Sequence, residues 1–238
     1  MSKFQKQPAG IRFPRLGRVG FVLFVAMSVA LSALNLAAQI APARPGSSNR
    51  YLLIVDTSSP MQRRADAVLK AVQGLLVSGM NGQLRRSDTL GVWTFNEDLY
   101  SGQFPLQQWS PETAGAITAR ALTFLKGQKY AKQPRLDKVL PALNRVVADS
   151  DLITVILITA GTENIQGTSF DDKINETYRL WRAEQLKARM PFLTVLRARG
   201  GHITECSVHP APWRVELPPL PPEPHVAEVA KPQPAPPP

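Results

Sequence analysis

The sequence predicts an α/β fold: a doubly wound, mainly parallel sheet with helices on both faces and one antiparallel edge hairpin. Two observations predict it. Tyr51 to Asp56 (YLLIVD) and Leu152 to Thr159 (LITVILIT) are short β-rich runs dominated by apolar residues, the pattern of strands covered on both faces. Around them, further strand-like runs alternate with segments of helical periodicity, and that alternation builds parallel sheets.

The chain starts with a membrane address. Lys3, Lys6, Arg12, Arg15 and Arg18 make residues 1–18 strongly basic with no acid among them. They carry half of the formal net charge of +10, so the rest is only mildly basic and gives no case for a nucleic-acid partner. Residues 19–38 (VGFVLFVAMSVALSALNLAA) are uncharged, and at 1.5 Å per residue they reach about 30 Å, the hydrocarbon thickness of a bilayer. They read as a transmembrane anchor, or as a signal peptide cleaved near residue 38. In both cases the basic end stays cytoplasmic and the rest is exported. The destination is the cell envelope, with the domain membrane-anchored through residues 19–38 or released as a secreted or periplasmic protein. Residues 39–49 form a Pro/Gly/Ser linker, residues 50–208 the folded domain, and residues 209–238 a Pro-rich tail that reads as an extended spacer or ligand.

Within the domain, Tyr51 to Asp56 is the first strand. Ser59 is expected as the N-cap of the following helix, with Pro60 at its first position and Gln62 completing a capping box. Met61, Ala65, Val68, Leu69, Val72, Leu75 and Leu76 make its apolar stripe. Thr89 to Phe95 is a second strand, and Leu99 to Phe104 a weak third. Ser110-Pro111 opens a helix carrying Ile117, Ala121, Phe124 and Leu125. Leu136, Val139, Leu140, Leu143, Val146 and Val147 mark another, which Pro141 must kink unless it lies near the start. Asp171 to Arg189 is a helix capped by Ser169, and Phe192 to Arg197 a strand. Gly200-Gly201 supplies the positive φ of a tight hairpin into His202 to Val208. The single cysteine, Cys206, excludes an internal disulfide and reads as a packed small residue.

Ligands of such sheets gather at the carboxyl ends of the strands. That rule singles out Asp56-Thr57-Ser58-Ser59 and Thr159-Ala160-Gly161-Thr162-Glu163. An apolar strand ending Asp-x-Ser, with a second strand ending Ile-Thr-x-Gly about a hundred residues later, resembles the von Willebrand factor type A (vWA) domain over residues 50 to about 200. The resemblance implies a Rossmann-like sheet and a metal-ion-dependent adhesion site. There a first loop Asp-x-Ser-x-Ser, a middle-loop Thr and an Asp from a Thr-Asp-Gly loop hold Mg²⁺. Asp56 and Ser58 match two of these positions. Pro60 replaces the second Ser, Ala160 replaces the Asp, and the middle loop near Ala131 to Arg135 has no Thr. Lys126 to Lys138 adds positive charge that opposes a divalent cation. The site is therefore read as degenerate, with Asp56 and Ser58 as vestigial positions and no metal or other cofactor.

No Gly-x-Ser-x-Gly elbow, phosphate-binding Gly-x-x-x-x-Gly-Lys or His-Glu-x-x-His occurs in the chain. The expectation is a non-enzymatic module that binds a protein partner at the cell envelope. Asp56, Ser58, Ser59, Thr162 and Glu163 would form its contact surface, with Lys129 and Lys132 beside them. The alternatives are a cation-dependent receptor with a rebuilt metal site, Glu163 being a substitute ligand, and, more remotely, a hydrolase using Ser58 or Ser59 as nucleophile.

Overall fold

A computed structural model describes residues 49–210 and 215–220. The segments 1–18 and 19–38, nearly all of the linker and most of the Pro-rich tail lie outside the described residues. Among the described residues, no helix is long and apolar enough to cross a membrane.

The fold is a mixed α/β sandwich around one seven-stranded sheet of order β3-β2-β1-β5-β6-β7. Its centre is parallel: β1 (Arg50–Asp56) lies between β2 (Thr89–Phe95) and β5 (Leu152–Thr159), with Tyr51 opposite both Leu90 and Thr154. β1 is buried from Tyr51 onward and β5 from Ile153 onward, so the apolar runs are strands with both faces covered. The short β3 (Leu99–Tyr100) and β4 (Gln107–Gln108) pair antiparallel with the two ends of β2, making a broken edge strand.

Alternation along the strands sorts the core into two layers. Leu53, Val55, Leu90, Val92, Ile156 and Ile158 face α1 (Ala65–Val77) and α2 (Ala114–Lys126). Leu52, Ile54, Ile153, Val155 and Leu157 face α3 (Leu136–Ala148) and α4 (Asp171–Ala188). Pro141 is the sixth residue of α3 and points to solvent, so it lies inside the helix rather than at its start.

Three local expectations are corrected. Ser59 is not an N-cap but the first residue of a 3-10 turn (Ser59–Arg64), with Ser58 in the cap position and no side-chain cap bond. Pro60 suits that tight turn, and the α-helix proper begins at Ala65. Ser169 does not cap α4 either. Its hydroxyl donates to Ile203 O, and Asp171 organises the turn instead, accepting from the backbone N–H of Gly167 and Thr168 and from the Thr168 hydroxyl.

The third concerns β6 (Phe192–Arg199), which runs antiparallel to β5, with Thr159 opposite Phe192. A doubly wound continuation would lay it parallel. The cause is the path of residues 160–170. Asn144 donates to Gly167 O, and Ser169 reaches Ile203, beside the Gly200-Gly201 turn whose N–H groups bond Asp151 O and Ser150 O. The loop thus crosses the sheet from the carboxyl end of β5 to its amino end before α4 starts. α4, about 27 Å long, then returns to the carboxyl edge. There Met190 O accepts from Arg64, and β6 must run down. The hairpin from β6 to β7 (His202–Pro210) turns as expected, with φ of 56° and 81° at Gly200 and Gly201. Cys206 is buried on β7, and burial pushes its thiol pKa up to about 11.

Candidate functional site at the carboxyl edge of the sheet

β1 and β5 are neighbours in the sheet, so Asp56 and Ala160 stand at the same end of adjacent strands. Asp56 is fully buried, and both carboxyl oxygens are engaged by this chain. Oδ1 accepts the Ser58 N–H at 2.8 Å, and Oδ2 accepts the Thr159 hydroxyl at 3.1 Å. Burial raises the Asp56 pKa, and these hydrogen bonds partly counteract it. The Ser58 hydroxyl is buried and close enough to lower that pKa, yet it makes no hydrogen bond of ordinary geometry.

The middle loop is fastened to the first by backbone alone. Ser59 N–H donates to Lys132 O at 2.9 Å, and Ala131 N–H donates to Thr57 O at 3.0 Å, with Lys132 at a left-handed φ of 65°. No hydroxyl side chain stands in this stretch. Thr57 turns away from it and donates to Phe95 O at 3.0 Å.

The charge of this edge differs from the sequence-based expectation of a repulsive basic loop. Lys132 pairs with Glu97 at 2.7 Å, Lys138 with Asp98 at 2.6 Å, and Arg135 with Asp137 at 2.6 Å. These exposed pairs hold Glu97, Asp98 and Asp137 below the usual carboxylate range, first through their hydrogen bonds, so most of the loop's charge is neutralised in place. The cation that acts on Asp56 is Arg64 instead. It is buried, donates to Met190 O at 3.1 Å and to Pro60 O, and is desolvated enough to lower its pKa while Asp56 opposes that shift. Tyr130 is raised, first by burial and then by the negative charge of Asp56.

The other sequence-predicted residues fall into two groups. Ser59, Thr162, Lys129 and Lys132 are exposed along this edge. Glu163 is half-buried, and its Oε2 accepts the N–H of Leu136 at 2.7 Å, which makes it the cap of α3. Ala160 is 1% exposed and packs in the apolar layer beside Ile158 and Leu193. Gly161 has φ 66°, and a Cβ there would sit 2.7 Å from the Phe192 ring. Arg64 and Tyr130 were not singled out from the sequence, and Thr159 was, but without its bond to Asp56. Arg64 and Tyr130 carried no signal in the sequence that could have found them.

No family model matches the sequence, and no curated protein matches it. A solved structure similar to this chain is that of an aerotolerance-related membrane protein from Bacteroides fragilis NCTC 9343 carrying multiple mutations to serine. It is 15% identical, with a TM-score of 0.37, and the match covers 54% of this chain and 62% of that chain. A likeness this low carries no argument about fold or function. The chain spans less than two thirds of that structure's length.

Proposed function

We propose that this chain is a vWA-like, non-enzymatic binding module of the cell envelope that engages a protein partner through the carboxyl edge of its sheet without a metal ion. One observation carries the reading: the Asp56 carboxyl is buried and spent on the chain's own Ser58 N–H and Thr159 hydroxyl. It works as a strap joining β1 to β5 at the point where the sheet order turns from β2 on one side to β5 on the other.

The donor set does not fit Mg²⁺. A hard cation wants several oxygen ligands in octahedral array. Here Pro60 and the apolar, packed Ala160 offer no side-chain oxygen, the middle loop has no hydroxyl or carboxylate free for a metal and its Lys132 O is already hydrogen-bonded, and Glu163 is committed to capping α3. The buried Arg64 guanidinium feels the negative charge of Asp56, and a second cation would compete with it. What faces outward is a small polar rim of Ser59, Thr162, Lys129 and Lys132, suited to protein contact. Residues 1–38 support export and anchoring or cleavage. The unpartnered Ser58 hydroxyl is the one feature that favours the second reading, a cation-dependent receptor.

The test is photo-crosslinking in membranes of the native host, with a photoreactive residue at Thr162 and a control at Leu106, an exposed position far along the chain. A discrete protein adduct from position 162, unchanged by EDTA, is expected. An adduct that requires Mg²⁺ would move the assignment to the cation-dependent receptor, and the absence of any position-specific adduct would sink the contact surface.

A further inference from the structure

At the amino edge of the sheet, opposite Asp56, a group of polar atoms is buried without hydrogen-bond partners: Asn49 Nδ2 and Oδ1, the Tyr51 hydroxyl, Thr154 Oγ1, and Arg197 Nε and NH1. Strand register brings three of these residues into one row. Tyr51 pairs with Thr154 and Thr154 with Arg197, so their side chains stand side by side across β1, β5 and β6. At about 4.8 Å per strand, the Cα atoms of Tyr51 and Arg197 are about 10 Å apart, with the short Thr154 side chain between two long ones.

Arg197 is 1% exposed. One of its nitrogens, NH2, donates to Gln83 Oε1 at 2.7 Å, and the other two have no partner. Water could fill those hydrogen bonds but could not balance the charge, and an uncompensated buried cation is far more costly than a buried neutral group. No acid nearby is hydrogen-bonded to it. Asp88 is buried, but both its oxygens accept backbone N–H groups, from Asn49 at 3.0 Å and from Arg85 at 2.8 Å. Glu205 lies opposite Arg197 in register and its charge opposes the lowering of the Arg197 pKa, yet it is exposed and no hydrogen bond joins them. A guanidinium, two hydroxyls and an amide around one spot, with no carboxylate bonded to them, make the donor set of an oxyanion site. Asn49 is close enough to the Tyr51 hydroxyl to lower its pKa, although no hydrogen bond of ordinary geometry joins them.

We propose that Arg197, Thr154 and Tyr51 hold a small oxyanion of the carboxylate or phosphate class in this row. Gln83 links the site to the C-terminal segment, since its Nε2 donates to Pro218 O at 2.9 Å while its Oε1 accepts from Arg197. Leu217 is buried in the apolar layer next to it. The proposal is independent of the reading of the Asp56 loop, which lies at the other end of the strands.

The test is the melting temperature of the full-length chain in detergent, titrated with inorganic phosphate and separately with acetate. Ionic strength is held constant with sodium chloride. At about 100 times the dissociation constant of the probe that binds, the melting temperature rises by about 5–10 °C. Thr154→Val, isosteric on its strand, weakens binding about tenfold by removing one donor to a charged ligand, which about halves the shift at the same probe concentration. Arg197→Met abolishes it. Because Arg197→Met alters a buried charge and can unfold the protein by itself, Thr154→Val decides if that variant fails. No response to either probe, or an equal response in Thr154→Val, overturns the proposal. So does a response that appears only in Glu205→Gln, which would make Glu205 the internal partner of Arg197.

Discussion

Substituting Asp56 separates a structural carboxyl from a metal ligand, because Asn keeps the hydrogen bonds of the first but lacks the charge that the second supplies. In Asp56→Asn, the amide oxygen still accepts the Ser58 N–H, and its NH₂ can turn to the Thr159 hydroxyl oxygen. Asp56→Ala instead leaves a buried N–H and a buried hydroxyl unpartnered, at about 1–3 kcal/mol each. Loss of a buried, desolvated carboxyl offsets part of that, so a net loss of about 2 kcal/mol is expected, or about 4–8 °C in melting temperature for a domain of this size. Asp56→Asn should stay within about 1 kcal/mol of the wild type at neutral pH. The pH dependence carries a sign. Burial raises the folded pKa of Asp56 above its unfolded value of about 3.9, so its contribution is full below that value and is lost as pH rises through the folded pKa. Stability of Asp56→Asn relative to wild type should therefore increase as pH rises from about 4. Urea denaturation of both proteins across pH 4–8 reads this directly. The raised Asp88 and the lowered Glu97, Asp98 and Asp137 are common to both and cancel in the difference. An Asn variant less stable than the Ala variant, or a Mg²⁺-induced stabilisation of wild type that Asn abolishes, would refute the strap.

Four further outcomes are expected. Ala160→Asp places a carboxylate in the apolar layer beside Asp56 and should destabilise by about 3 kcal/mol or more, with no rescue by 10 mM Mg²⁺ in a thermal melt; full rescue would show that a cation site persists. Gly161→Ala drives a Cβ into the Phe192 ring at φ 66°, so a loss of about 2–4 kcal/mol is expected, and a near-neutral urea midpoint would contradict the packing at this turn. Glu163→Gln keeps an acceptor for Leu136 N–H but loses its charge at the start of α3, which should cost about 0.5–1 kcal/mol by denaturant titration, whereas a loss of partner binding without any stability change would make Glu163 a contact residue. A reporter fused after Gly46 should be active outside the cytoplasm, and cytoplasmic activity would contradict export.

The central strands were legible because burial on both faces leaves a signature in the residues themselves. YLLIVD, TLGVWTF and LITVILIT are strands with the expected ends, or one residue longer in the case of β1. The Gly200-Gly201 turn was equally plain, since two positive φ angles in a row demand such residues. The direction of β6 was not legible. FLTVLRAR reads the same in either orientation, and direction depends on where residues 160–170 go. That path is set by tertiary contacts such as Asn144 to Gly167 and Asn175 to Ile165. The helix caps failed for a related reason. Ser59 and Ser169 have the right chemistry, but Pro60 favours a 3-10 start, and Asp171 competes as the stronger acceptor. At the carboxyl edge, Asp56 and Ser58 were singled out by pattern, and the structure adds that the Asp56 carboxyl accepts the Ser58 N–H. Arg64 and the Lys132–Glu97 pair depend on neighbours distant in sequence and had no local signal.

The reversal of β6 also bears on what kind of surface the carboxyl edge presents. Had α4 started directly after β5, its amino end would stand at this edge, with unpaired N–H groups and a positive dipole available to an anionic ligand. The loop crosses the sheet instead, so the carbonyl end of α4 arrives there, and one of the carbonyls just beyond it, Met190 O, is taken by Arg64. What remains exposed between Gly161 and Ile165 is Thr162 and Asn164, on backbone fixed at both ends. Upstream, Gly161 is wedged against Phe192. Downstream, Glu163 is bonded to α3, and Ile165 exchanges two hydrogen bonds of 2.8 Å with Asn175. Ser59 is fixed likewise by its N–H to Lys132 O. A rim held this way loses little conformational entropy on binding, so a modest polar contact can still be specific. The same fastening leaves the strand ends little room to reorganise around a cation, which favours direct contact with a protein surface over a rebuilt metal site.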